Sequence, residues 1–92
     1  MGLFSSSANY STTEHSLSSE EIRALVGQGH IPSLTPEQES LVEEVIREQR
    51  HGDGKISLQG IYEALSKLKH AGKISETDRA GVMQVFKHHF NK

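Results

Sequence analysis

The sequence predicts a small all-α domain of four helices behind a Ser/Thr-rich leader. Three observations predict it. Ser18, Thr35, Ser57 and Ser75 each stand just ahead of an apolar stripe with helical spacing. Glycine-bearing turns close the stripes at Gly27, at Gly52 with Gly54, and at Gly72. Ninety-two residues suffice for one hydrophobic core and no second one.

Residues 1–16 are rich in Ser and Thr, carry one carboxylate and have no helical period, so they are read as a disordered leader. The helical domain is expected over residues 17–92. Its first helix opens with a capping box of Ser18 and Glu21. Leu17 is placed to staple onto Ile22, and Ile22, Leu25 and Val26 form the stripe. A loop follows in which Ile31 and Leu34 are the expected core anchors. Thr35, Pro36 and Gln38 give the second helix an N-cap, a proline at the first helical position and a capping-box glutamine. Leu41, Val42, Val45 and Ile46 are its core face. The third helix is capped by Ser57 and buries Leu58, Ile61, Leu65 and Leu68, with Tyr62 beside them. The fourth opens at Ser75 with Asp78 and presents Val82, Met83, Phe86 and Phe90.

Residues 34–68 resemble the helix-loop-helix of calmodulin-type EF-hand proteins. The resemblance rests on Leu34, Thr35, Glu37 and Gln38, then Leu41, Val45 and Ile46, then Gly52-Asp53-Gly54 with Ile56 and Ser57. A second copy, from Glu63-Ala64-Leu65-Ser66 through Gly72-Lys73-Ile74-Ser75 to Val82-Met83, is similar to the same pattern, and the resemblance covers residues 34–86. It implies helix-loop-helix geometry, with ligands at loop positions 1, 3, 5 and 12. Those positions hold Gln49, His51, Asp53 and Gly60 in the first copy, and Lys67, Lys69, Ala71 and Asp78 in the second. One carboxylate per loop does not neutralise a divalent cation, so the resemblance implies a degenerate EF-hand-like domain with no calcium site. Paired EF-hands bridge their loops at the Ile position. Here Ile56 and Ile74 lie at opposite ends of one shared helix of about 18 Å, so they do not pair within one chain. In an up-down arrangement Ile31 and Ile74 would share an end, with any backbone bridge avoiding Pro32, or the edge at residues 55–57 could pair across a homodimer.

The absence of cysteine removes disulfides, thiolate metal sites and cysteine nucleophiles. No run approaches the ~18 apolar residues of a membrane span. No basic-then-apolar signal opens the sequence, and the expected compartment is the cytoplasm. Six histidines include the adjacent His88 and His89, but no H-x-x-x-H pair supports a metal site. No G-x-S-x-G, H-E-x-x-H or phosphate-loop pattern occurs, and the serines already have capping roles. No enzyme activity, metal or cofactor is expected.

What remains is a protein partner. Before Lys67 ten carboxylates face four bases, and from Lys67 onward six bases face two carboxylates. Such a polarised chain suits self-association or a partner with patches of both signs. The expected contact surface is Phe86, Lys87, His89 and Phe90, flanked by His88 and Lys92, because aromatics beside cations fit an acidic, apolar groove. Two alternatives stand beside this non-enzymatic interaction module. Met1-Gly2 with Ser6 fits the N-myristoylation pattern, which would make Gly2 an acylated membrane tether. One such chain holds a membrane only marginally, with K on the order of 10⁴ M⁻¹, and no cluster of bases or cysteine assists it. Helices three and four could also form a helix-turn-helix, but Glu76 and Asp78 would then face the phosphates, which argues against nucleic acid.

Overall fold

The computed structural model describes residues 10–28 and 31–91. Among them the chain runs β1 (Glu14–Ser16), α1 (Ser19–Gln28), α2 (Pro36–Gln49), β2 (Lys55–Ser57), α3 (Leu58–His70) and α4 (Glu76–Phe90). The helices begin where local hydrogen bonding starts them. Ser18 Oγ accepts the Glu21 N–H at 3.0 Å while the Glu21 carboxylate accepts the Ser18 N–H at 2.9 Å. Thr35 and Gln38 exchange the same pair of bonds at 3.2 and 2.9 Å, and Ser75 and Asp78 at 3.1 and 2.9 Å. Ser57 Oγ caps α3 by accepting the Gly60 N–H at 3.0 Å. Each cap satisfies donors that a helix start leaves without an internal partner.

One core joins all four helices. α1 supplies Ile22 and Val26, α2 Val42 and Ile46, α3 Ile61 and Leu65, and α4 Val82, Met83 and Phe86. α2 packs on both α1 and α3, and α4 packs chiefly on α3. Leu17, Leu34, Ile56 and Ile74 enter from the connections and close the ends. Each fully buried aliphatic side chain contributes about 1.5–3 kcal/mol through area removed from water.

The connection before α2 is tied to the start of α4. Ile31 packs on Gly81, where an added Cβ would lie 3.3 Å from Ile31 Cγ2. The Ser33 hydroxyl donates to the Asp78 carboxylate, and Gln38 Nε2 donates to the Lys73 carbonyl at 3.0 Å. After α2 the chain turns through Gly54 at φ +87°, a left-handed conformation that favours glycine. There the Gly54 carbonyl accepts the Leu17 N–H at 3.0 Å.

The structure differs from the sequence reading at the leader. Glu14–Ser16 belong to an antiparallel pair with β2, in the register Glu14 to Ser57, His15 to Ile56 and Ser16 to Lys55. Order thus begins before Leu17, because strand pairing is decided by the partner and three residues carry no period of their own. The pairing also occupies, within one chain, the edge at Lys55–Ser57. β1 lies along one side of β2, and on the other side His51 exchanges both backbone hydrogen bonds with Lys55, at 3.0 and 2.9 Å. Ile56 finds its cross-strand partner within its own chain, in His15.

Candidate interaction surface

The four residues expected at the contact surface divide into core and rim. Phe86 is fully buried, with 0 % of its surface exposed, so it is a core residue and is corrected as a contact. It lies on the same face of α4 as Val82 and Met83, aimed between the other helices. Phe90 is one turn further on, where the core ends, and it is half-buried. Its ring centroid is 6.3 Å from that of Phe86 and 5.6 Å from that of His89. Lys87 and His88 are exposed and His89 is partly so. Gly2 and Lys92 lie outside the described residues.

What covers Phe90 is the side chain of His15 from β1. The two rings stack with centroids 4.2 Å apart and planes 13° from parallel. The rest of this N-terminal segment is fastened along β2 and α3. The Tyr10 ring meets Tyr62 at 5.1 Å, and the Tyr10 N–H donates to Gln59 Oε1 at 3.2 Å. The Gln59 N–H donates back to the Ser11 carbonyl at 3.1 Å. The Arg79 guanidinium lies 4.8 Å from the Tyr62 ring centroid, a cation–π distance. The Glu14 carboxylate pairs with His51 Nε2 across the strand pair. The segment ends at Leu17, which is 2 % exposed and whose carbonyl accepts Arg50 Nη1 at 2.7 Å.

Sequence reasoning missed this segment, and only one signal pointed to it. Tyr10 is the lone large aromatic of residues 5–16, and such a side chain in a polar stretch suggests a docking point. Nothing local marks His15 or Glu14.

Beside the strand pair lies a cleft of about 200 Å³ bordered by Glu14, Gln49, His51, Gln59, Gly60 and Glu63. Its carboxylates are already engaged: Glu14 pairs with His51, and Glu63 accepts from Gln59 Nε2 at 3.2 Å. Among the described residues no group of three or more His, Asp or Glu side chains is placed to hold a metal ion. A second hollow of about 280 Å³ borders Arg47, Arg50 and Asp53. Arg50 is a structural tie there, donating to the Leu17 carbonyl, to Ser19 Oγ at 3.3 Å and to the Arg47 carbonyl at 3.3 Å.

At the start of α4 the two carboxylates have different fates. Asp78 is 2 % exposed and turned inward onto Ser33. Burial on its own pushes its carboxyl up. The Ser33 hydroxyl and the Ser75 backbone and side chain outweigh this, and the carboxyl titrates below its ordinary range. Glu76 stays at the surface. The hydrogen bond from Arg79 lowers its carboxyl against some desolvation, with the charges of Arg79 and Lys69 adding to the effect.

No protein-family model, curated protein or solved structure matches the chain. The functional reading therefore rests on its own residues. Among the described residues no helix is long and apolar enough to cross a membrane.

Proposed function

We propose that the chain is a non-enzymatic protein–protein interaction module of the cytoplasm, built on a degenerate EF-hand-like scaffold. The observation that carries this reading is the aromatic rim at the end of α4. Phe90 is left half-exposed over the buried Phe86, with Lys87 and His88 in solvent and His89 beside it. An apolar ring flanked by the Lys87 ammonium and by imidazoles that can donate hydrogen bonds suits an acidic and apolar partner surface. The contact set is accordingly Lys87, His89 and Phe90, without Phe86.

The EF-hand-like part of the reading is supported by the order α2, glycine turn, β2, α3, and by Gln49, His51 and Gly60 bordering one cleft. Those are loop positions 1, 3 and 12 of the resemblance. A calcium loop needs six to eight oxygens with a bidentate carboxylate at its last position. Gly60 occupies that position, and its Cβ would lie 3.1 Å from Ile56 Cγ1, so a longer side chain there has to displace a core residue. Calcium titration followed by NMR is expected to show no saturable shift at micromolar concentration.

The decisive experiment compares the wild type with Phe90→Ala combined with Lys87→Glu as baits for the same protein mixture. The double variant is expected to lose at least tenfold of the captured partner while its helical circular dichroism and cooperative melt persist. Equal capture by both baits removes the surface. Joint loss of fold and capture reassigns both residues to the core.

A further inference from the structure

We infer that the β2 edge, with Tyr62 and Phe90 as its shoulders, is a strand-docking site that residues 10–16 fill in cis and that the same residues of a second copy fill in trans. The inference rests on the reading of this chain as an interaction module and names one partner for it.

Three observations lead there. First, the segment is short and lies along the surface. β1 is three residues long, Glu14 and Ser16 are exposed, and the pair that Glu14 makes with His51 lies at the surface. Pairs exposed to solvent contribute little, so local opening of such a segment requires far less than global unfolding. Second, the segment has a fixed pivot. Leu17 is buried and Arg50 holds its carbonyl, so opening stops at the bond between Ser16 and Leu17 and leaves the helical core intact. Third, opening exposes a surface with defined chemistry: the unpaired side of β2, the face of Phe90 under His15, and the face of Tyr62 under Tyr10. An uncovered strand edge is a template for another strand.

The occupant that fits is already on view. It carries a ring for Tyr62, a carboxylate for His51 and an imidazole for Phe90 at the spacing of Tyr10, Glu14 and His15. Every second copy carries this same segment. Exchange between two copies re-forms each contact, so it changes no local interaction and is governed by concentration against a cis segment of high effective molarity. Seven extended residues reach about 23 Å at ~3.3 Å each, so the two β2 strands must face each other near a two-fold axis. The homodimer edge at Lys55–Ser57 is thus usable, but only by strap exchange.

The chain has no cysteine, which permits a direct test. Ser16 and Lys55 are exposed and opposite each other across the strand pair. Ser16→Cys and Lys55→Cys are made in separate full-length chains, checked for wild-type circular dichroism, mixed at about 1 mM and oxidised slowly. The expected product is a mixed disulfide dimer, at least tenfold above that from Ser16→Cys mixed with Glu44→Cys, where Glu44 is an exposed position on α2. A synthetic peptide of residues 10–18 in excess should suppress it. A yield equal to the control, or one the peptide leaves unchanged, overturns strap exchange. That failure leaves the α4 rim untouched, because Lys87 and Phe90 are read out by capture and not by this cross-link.

Discussion

Asp78 shows how much one side chain can depend on residues distant in sequence. It is at once the capping-box residue of α4 and the acceptor for Ser33, forty-five positions earlier. Asp78→Ala removes both and leaves the Ser33 hydroxyl without its partner, so a loss of about 2–3 kcal/mol is expected in urea unfolding. Its carboxyl is depressed in the folded state. Its contribution is therefore complete above the unfolded value of about 3.9 and disappears as pH falls through the lower folded one. The stability gap between wild type and Asp78→Asn should be open at pH 7 and narrow as pH falls below the unfolded value. A gap that stays constant would mean the charge is not what Ser33 and Ser75 hold.

The two phenylalanines of α4 give a second residue-scale contrast. Phe86→Ala empties the centre of the core and is expected to lose about 3–5 kcal/mol. Phe90 has Phe86 beneath it and His15 above, with its rim in water. Phe90→Ala should lose less, about 1–2.5 kcal/mol, from roughly half of a full side-chain burial and the aromatic pair. Comparable losses for both would make Phe90 a core residue too.

At the scale of elements, the helix starts were legible because caps are local. Ser18 with Glu21, Thr35 with Gln38, and Ser75 with Asp78 are each three residues apart, and their hydrogen bonds form wherever the helix forms. The turn at Gly54 was legible for the same reason. Gly54→Ala is expected to destabilise by about 1–2 kcal/mol, since φ +87° strains an L-residue and the new Cβ would lie 3.4 Å from Arg50 Nη1. β1 was not legible, because Glu-His-Ser is no more strand-like than its neighbours. It becomes a strand by lying beside Ile56. His15→Ala removes the stack on Phe90. The β2 amides facing β1 should then exchange hydrogen at least tenfold faster, while amides of α2 and α3 keep their protection. Unchanged exchange would show that the ring stack does not hold the strand.

At the scale of the molecule, the Cα radius of gyration is 12.5 Å, close to the ~12 Å of a compact chain of this length. Tyr10 and Phe90, near the two ends of the described chain, both pack on the one core. The expected consequence is a single cooperative melt whose helical and aromatic signals coincide. The ion pairs formed on folding join partners within the same half of the sequence, so they leave its charge asymmetry in place. Glu43 meets Arg23 and Arg47, each at 3.9 Å, and Glu76 meets Lys69 at 3.7 Å. Beside Phe90, Lys87 and His88 remain in solvent.

The sequence by itself determined four helices, their caps and most of the core face of each. Helical hydrogen bonds and apolar stripes operate over three or four residues, so their rules can be read along the chain. Only the tertiary structure decided that Glu14–Ser16 pair with β2, that Asp78 turns inward to Ser33, and that Phe86 is core while Phe90 is rim. Each of those outcomes depends on a partner thirty to eighty positions away, brought close by the packing of the helices, and no local pattern records it.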